Sequence, residues 1–318
     1  MTYTSQTVGG LPIMGLFDDW DDSARANEKV PPLNKAFPYG TQPVRGVNLG
    51  GWLIIEPFIT PSFFDKYASS LGVVDEYTLS KKLGSTQAKQ TVETHYSTFV
   101  TEDTFKQIQA AGLDHVRIPF GYWAVQTYDD DTFVPQVSWR YLLRAIEYCR
   151  KYGLRVNLDL HSVPGGANGW NHSGRQGKIE WLIGPNGAQN GQRTLDIHRK
   201  LSAFFAQDRY KNIIALYGLV NEPKMITLNA TTVVNWSEQA YKLIRGNNYE
   251  GKIVFGDGFR GLSTWEGEFS GLDGMVLDVH QYVIFNTQQI SLTHQNKIVF
   301  ACSNWSDQMT KSIDTSTG

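Results

Sequence analysis

Six short apolar runs recur along the chain, separated by longer amphipathic stretches. They are 44–49 (VRGVNL), 115–120 (HVRIPF), 155–161 (RVNLDLH), 213–221 (IIALYGLVN), 252–257 (KIVFGD) and 275–282 (MVLDVHQY). They are dense in Val, Ile and Leu without strict alternation, the pattern of parallel strands covered on both faces. The stretches between them carry helical spacing with legible ends. In WRYLLRAIEYCRKYG, Trp139, Leu142, Leu143, Ile146 and Cys149 share one face, and Gly153 closes the helix. In TEDTFKQIQAAG, Thr101 is placed to cap the N-terminus, Glu102 and Asp103 suit the first turn, and Gly112 ends it.

Repeated strand–helix units restrict the fold to a parallel barrel or a doubly wound sheet. The polar residues decide between them. Asn48, Arg117, His161, Asn221 with Glu222, Asp257, and His280 with Tyr282 lie at or near the C-terminal ends of the runs. A (β/α)8 barrel collects its chemistry on that rim, whereas a doubly wound sheet concentrates it at one switch point. The prediction is therefore an α/β fold of the (β/α)8 TIM-barrel type, with about six of its eight strand–helix units in residues 44–318. Residues 1–43 are acidic, polar and punctuated by Pro, and read as a surface-draped leader or linker.

The chain has 318 residues, a net charge of −2 and 41% apolar residues, a globular composition with length for a large core. No basic cluster suggests nucleic acid, and no apolar run is long enough to span a membrane. The two cysteines, Cys149 and Cys302, have no CxxC partners, so no zinc site is expected. Aromatic residues make up 13% of the chain, which suits stacking against sugars as well as an ordinary core. Sequons at Asn171, Asn229, Asn235 and Asn304 lean toward a secretory route, although the first 40 residues contain no signal-peptide apolar region.

The fourth run ends in Asn221, Glu222 and Pro223. A carboxamide beside a carboxylate at a strand end looks like half of a sugar-cleaving site, which uses two carboxylates. RGVNLGGWLIIEPF, HVRIPFGYW, DLHSVPGGANGW, GLVNEP and DVHQY together resemble glycoside hydrolase family 5, and within it the fungal exo-β-1,3-glucanases of the membrane-anchored type. The likeness runs from about Pro31 to the end. It implies retaining hydrolysis of β-1,3-glucan from non-reducing ends to release glucose, with no cofactor and no metal, by a monomer at the cell surface or cell wall.

By the same resemblance Glu222 is the general acid/base, a role that calls for a raised, cycling pKa. Asn221 would contact the sugar 2-hydroxyl and Arg117 would hold the nucleophile ionised. His161 and His280 would bind hydroxyls, and Tyr282 would orient the nucleophile. Glu56 would bind hydroxyls and close the pocket, as an exo enzyme requires. Trp170 and Phe285 would be stacking faces. NHSG at 171–174 departs from the DNSG of some family members, so Asn171 stands where those have a carboxylate.

The family nucleophile belongs to a seventh strand, in a GEW(S) motif. WEGEFSG, with Glu266 and Glu268, imitates it but precedes DVHQY, which places it between the fifth and sixth strands. Ile290, His294, Ile298, Cys302, Trp305 and Met309 follow at roughly helical spacing, although KIVFAC alone could pass for a strand, and by the resemblance they are the sixth helix. Gly318 then arrives before a seventh strand and before the partner of Cys302, which resembles a family disulfide cysteine. Instability or poor solubility is expected of the chain alone. Two other readings compete: an inactive β-glucan-binding product, and a family 5 endo-glucanase, which the GGWL…EPF loop argues against.

Overall fold

The computed structural model describes residues 7–8, 11–12, 19–128 and 131–315. Its centre is a six-stranded sheet in the order β1 (Gly46–Asn48), β2 (His115–Gly121), β3 (Arg155–Ser162), β4 (Ile214–Gly218), β5 (Lys252–Gly256) and β6 (Met275–Asp278). Each strand is parallel to the next. Spatial order follows sequence order throughout. That is the arc of a (β/α)8 barrel, because a doubly wound sheet reverses at a switch point. All six expected strands are present. The fourth and sixth stop early, at Gly218 and Asp278, so Asn221, Glu222, His280 and Tyr282 stand on loops rather than strands.

Helices supply the crossovers. Between β1 and β2 lie α1 (Glu76–Leu83), α2 (Ser85–Thr98) and α3 (Glu102–Ala110). The next crossovers are α4 (Val137–Lys151), α5 (Gly187–Phe205) and α6 (Ala230–Gly246). Only a 3₁₀ turn, Leu262–Trp265, separates β5 from β6. Glu266 and Glu268 lie just after that turn, exposed, so WEGEFSG occupies the connection where its chain order places it. Beyond β6 come α7 (Thr287–Ile290), α8 (His294–Phe300), a π-helical stretch Ala301–Trp305 and α9 (Ser306–Thr315). The helix read over 290–309 is thus present in pieces.

Helix ends follow local chemistry. The Thr104 hydroxyl accepts from the Thr101 N–H at 3.2 Å, which satisfies an otherwise orphaned donor at the start of α3. The apolar face of α4 is fully buried, and Trp139 packs against Phe204 and Phe205 of α5 at 4.9 and 5.6 Å. Each buried Leu or Ile there contributes about 1.5–3 kcal/mol. Burial also pushes the Cys149 thiol up and out of reactive range.

The polar leader is fastened rather than loose. Ala26, Val30, Leu33 and Phe37 are buried, and Asp22 pairs with Arg150 of α4. Arg155, the first residue of β3, donates to the carbonyls of Pro31, Pro32 and Lys35 at 3.2, 3.0 and 2.9 Å. Residues 22–37 therefore strap the N-terminal ends of the strands. The opposite rim is left open for chemistry.

Candidate active site

Asp159 and His161 are two residues apart on β3 and so share one face of the sheet. The buried Asp159 carboxylate accepts from Arg117 of β2 at 2.8 Å and from His161 Nδ1 at 2.7 Å. Burial pushes the Asp159 carboxyl up, but Arg117 and His161 outweigh it and hold the group below its usual range. Arg117 Nη2 also donates to Asn221 Oδ1 at 2.8 Å. With Nδ1 bonded to the carboxylate, His161 turns Nε2 toward the Asn221 amide at 3.4 Å.

Glu222 follows β4 with φ of 45°, in the left-handed region that costs a non-glycine residue energy and recurs at functional sites. Its Oε1 accepts from His280 Nδ1 at 2.6 Å, and His172 Nε2 lies 3.6 Å from Oε2. The other nitrogen of His280 is 3.4 Å from Asp278 Oδ2. Burial disfavours the charged His280 ring, yet hydrogen bonds to Asp278 and Glu222 raise its pKa to about 10. Burial likewise pushes the Glu222 carboxyl up, but the bond from His280 and the charges of His280, His172 and His161 leave it below its usual range. The raised carboxyl expected of a general acid is therefore not the resting state. Glu222 rests as a carboxylate in an ion pair.

Glu56 lies in the loop after β1 and is buried. Its Oε1 accepts from the Gly51 N–H at 2.8 Å. Gly51 has φ of 66°, and a Cβ there would stand 2.6 Å from Ile59, so the GGW turn needs glycine. Burial pushes the Glu56 carboxyl up. The buried Glu76 of α1 anchors the same loop by accepting from the Ile55 N–H at 2.7 Å, and burial raises its pKa to about 8. Among the described residues, Glu56, His161 and His172 form a group whose ligand atoms all lie within 4.8 Å of one another, close enough to hold a metal ion.

The aromatic candidates stand farther out. Trp170 is half-buried, 5.5 Å from the rings of His172 and Phe259, with Lys224 Nζ over its face at 5.4 Å. Asn171 opens the 3₁₀ turn Asn171–Ser173 beside it. Tyr282 and Phe285 are exposed and make their ring contact with each other at 5.5 Å. A groove between residues 59–63 and α2 shares no lining residue with the cavity beneath Glu222. Sequence reasoning missed Asp159, His172, Asp278 and Glu76. Asp159 and Asp278 each precede a chosen histidine by two residues, and that same-face spacing could have found them.

Comparison with known proteins bears on this rim. The family model "Cellulase (glycosyl hydrolase family 5)" matches residues 81–315. The chain belongs to glycosyl hydrolase family 5. It is similar to "Probable glucan 1,3-beta-glucosidase D" of Aspergillus fumigatus, 58% identical over all of this chain and 38% of that protein. The protein so named in Aspergillus niger is 56% identical over the same shares. The chain thus spans about two fifths of the length of these relatives. Among solved structures of the family fold, a rutinosidase from Aspergillus niger superposes with a TM-score of 0.69 at 25% identity, covering 76% of this chain and 70% of that one. A β-glucanase from Saccharophagus degradans in complex with cellotetraose, at 14% identity and a TM-score of 0.53 over 88% of this chain and 68% of that one, agrees in fold. Of the described residues, no helix is long and apolar enough to cross a membrane.

Proposed function

We propose that the protein is a retaining exo-β-1,3-glucanase that releases glucose from non-reducing ends of β-1,3-glucan, with Glu222 as general acid/base. The observation that carries this reading is the likeness, over the whole chain, to proteins named glucan 1,3-beta-glucosidase. Glu222 at the rim after β4, with Asn221, Arg117 and His161 beneath it, suits that chemistry. Glu56 would take sugar hydroxyls at a blocked end, and Trp170, Asn171, Tyr282 and Phe285 would border the outer subsites. Residues 44–318 are proposed as the barrel domain and 1–43 as its leader, in a protein of the cell surface or wall. Exposed sequon asparagines at Asn229 and Asn304 support that location.

A proton donor must carry a proton before it can give one. The His280 bond opposes protonation of Glu222, so substrate would have to displace that bond or desolvate the carboxyl. A retaining mechanism also needs a nucleophile carboxylate about 5–5.5 Å from the acid. Asp159 is committed to Arg117 and His161, and Asp278 faces His280, so neither is assigned that role. These commitments favour a second reading for the 318-residue chain on its own: glucan binding without turnover. Laminaritriose binding and glucose release, measured on the same preparation, test both. Binding without release is the result the second reading expects of the 318-residue chain. Glucose release that disappears in Glu222→Gln would overturn that second reading, support the first and place a nucleophile within the chain.

A further inference from the structure

We propose that Glu56, His161 and His172 form a binding site for a divalent transition metal of the zinc class. The three donors come from separate segments: the loop after β1, the end of β3 and the 3₁₀ turn Asn171–Ser173. One carboxylate oxygen and two imidazole nitrogens, with a fourth position open, are a donor set that suits Zn²⁺. Cysteine spacing could not reveal it, because no thiol takes part.

Two of the donors are fixed by partners other than a metal. Glu56 is oriented by the Gly51 N–H at 2.8 Å. His161 is oriented by Asp159, whose bond at 2.7 Å occupies Nδ1, while Nε2 faces the Asn221 amide at 3.4 Å, a long contact that a metal ion would replace. A carboxylate behind a ligating histidine fixes the ring and raises its basicity, as outer partners of zinc ligands do. The third donor, His172, is half-buried, flanked by Trp170 at 5.5 Å and Phe58 at 6.4 Å.

Metal–donor distances of about 2.0–2.1 Å put tetrahedral donors roughly 3.3 Å apart. The present spread, within 4.8 Å, has to contract by roughly 1.5 Å at its widest for the three donors to share one ion. His172 is also the position where NHSG departs from DNSG, so a chain with Asn there would lack the third ligand. A bound cation would sit on the groups proposed above to hold sugar hydroxyls and would exclude the sugar. That consequence rests on the proposed function, but metal binding does not.

Zn²⁺ titration calorimetry of the EDTA-treated 318-residue chain tests the site without any assay of activity. One saturable Zn²⁺ per chain is expected. His172→Asn and Glu56→Gln should each weaken it at least ~10-fold, while His294→Asn, at an exposed histidine of α8, should leave it unchanged. Binding that survives His172→Asn undiminished, or no one-to-one binding at all, overturns the proposal. Should either variant fail to fold by far-UV circular dichroism, Co²⁺ added to the unaltered chain decides. A visible ligand-field band displaced by Zn²⁺ supports the site, and its absence refutes it.

Discussion

At the scale of single residues, the site depends on buried carboxylates that are each assigned a partner. Asp159 holds two cationic or donor groups at once, and removing it leaves Arg117 without its counter-charge in a largely buried place. Breaking such a pair from one side costs about 3–5 kcal/mol, more than the intact pair contributes. Asp159→Ala should therefore lower unfolding free energy by that amount in urea, and a loss under about 1 kcal/mol would show that water reaches the pair. Glu76 makes a different prediction. Burial lifts its folded pKa to about 8, above the ordinary carboxylate value of 4.5. Between those values only the unfolded chain ionises this carboxyl, so its contribution to stability falls as pH rises and levels off above about 8. Glu76→Gln keeps an acceptor for the Ile55 N–H and removes the titration. Its melting temperature should gain on that of the parent from pH 5 to pH 8, and parallel curves would refute the shift.

At the scale of elements, the strap beneath the sheet is held by backbone contact as much as by its apolar anchors. Gly153, just past α4, has φ of 67°, and a Cβ there would lie 2.2 Å from the carbonyl carbon of Arg25. Gly153→Ala combines a left-handed alanine with a backbone clash and should cost roughly 2–4 kcal/mol. Trypsin should then cut at Arg25 and Lys29 well before the barrel is degraded, and unchanged cleavage would mean that the strap does not depend on this turn. Gly153 was readable as a helix stop, but its second role was not, because the close approach of a segment more than 100 residues away leaves no local pattern. The same boundary runs through the site. Strand order, the α4 face and the rim residues Arg117, His161 and Glu222 were legible, since they rest on periodicity and strand-end motifs. The pairing of His280 with Glu222 was not, because two loops meet across 58 residues of chain. Nor was the lowered carboxyl that follows from it.

At the scale of the whole molecule, the sheet has two unpaired edges among the described residues, β1 and β6. Burial falls off accordingly. Nearly every residue of β3 is buried, every residue of β6 is only half-buried, and Gly46 and Asn48 of β1 are exposed. In the segment that follows β6, Ile284, Phe285, Ile290, Ile298, Val299 and Met309 are all exposed. Unpaired N–H and C=O groups form a template for another chain, exposed apolar side chains add to the hazard, and closed barrels avoid it by having no edge. The isolated chain should therefore elute above its 35.8 kDa mass, bind a hydrophobic dye and melt over a broad range. Charging the apolar surface without touching the rim, as in Val299→Lys with Ile298→Glu, should shift elution toward the monomer. If the edges are instead harmless, the unaltered chain will run as a single 35.8 kDa species with one sharp transition. In that case the six-stranded arc is sufficient as a folding unit, and the exposed apolar groups near β6 contribute nothing to association.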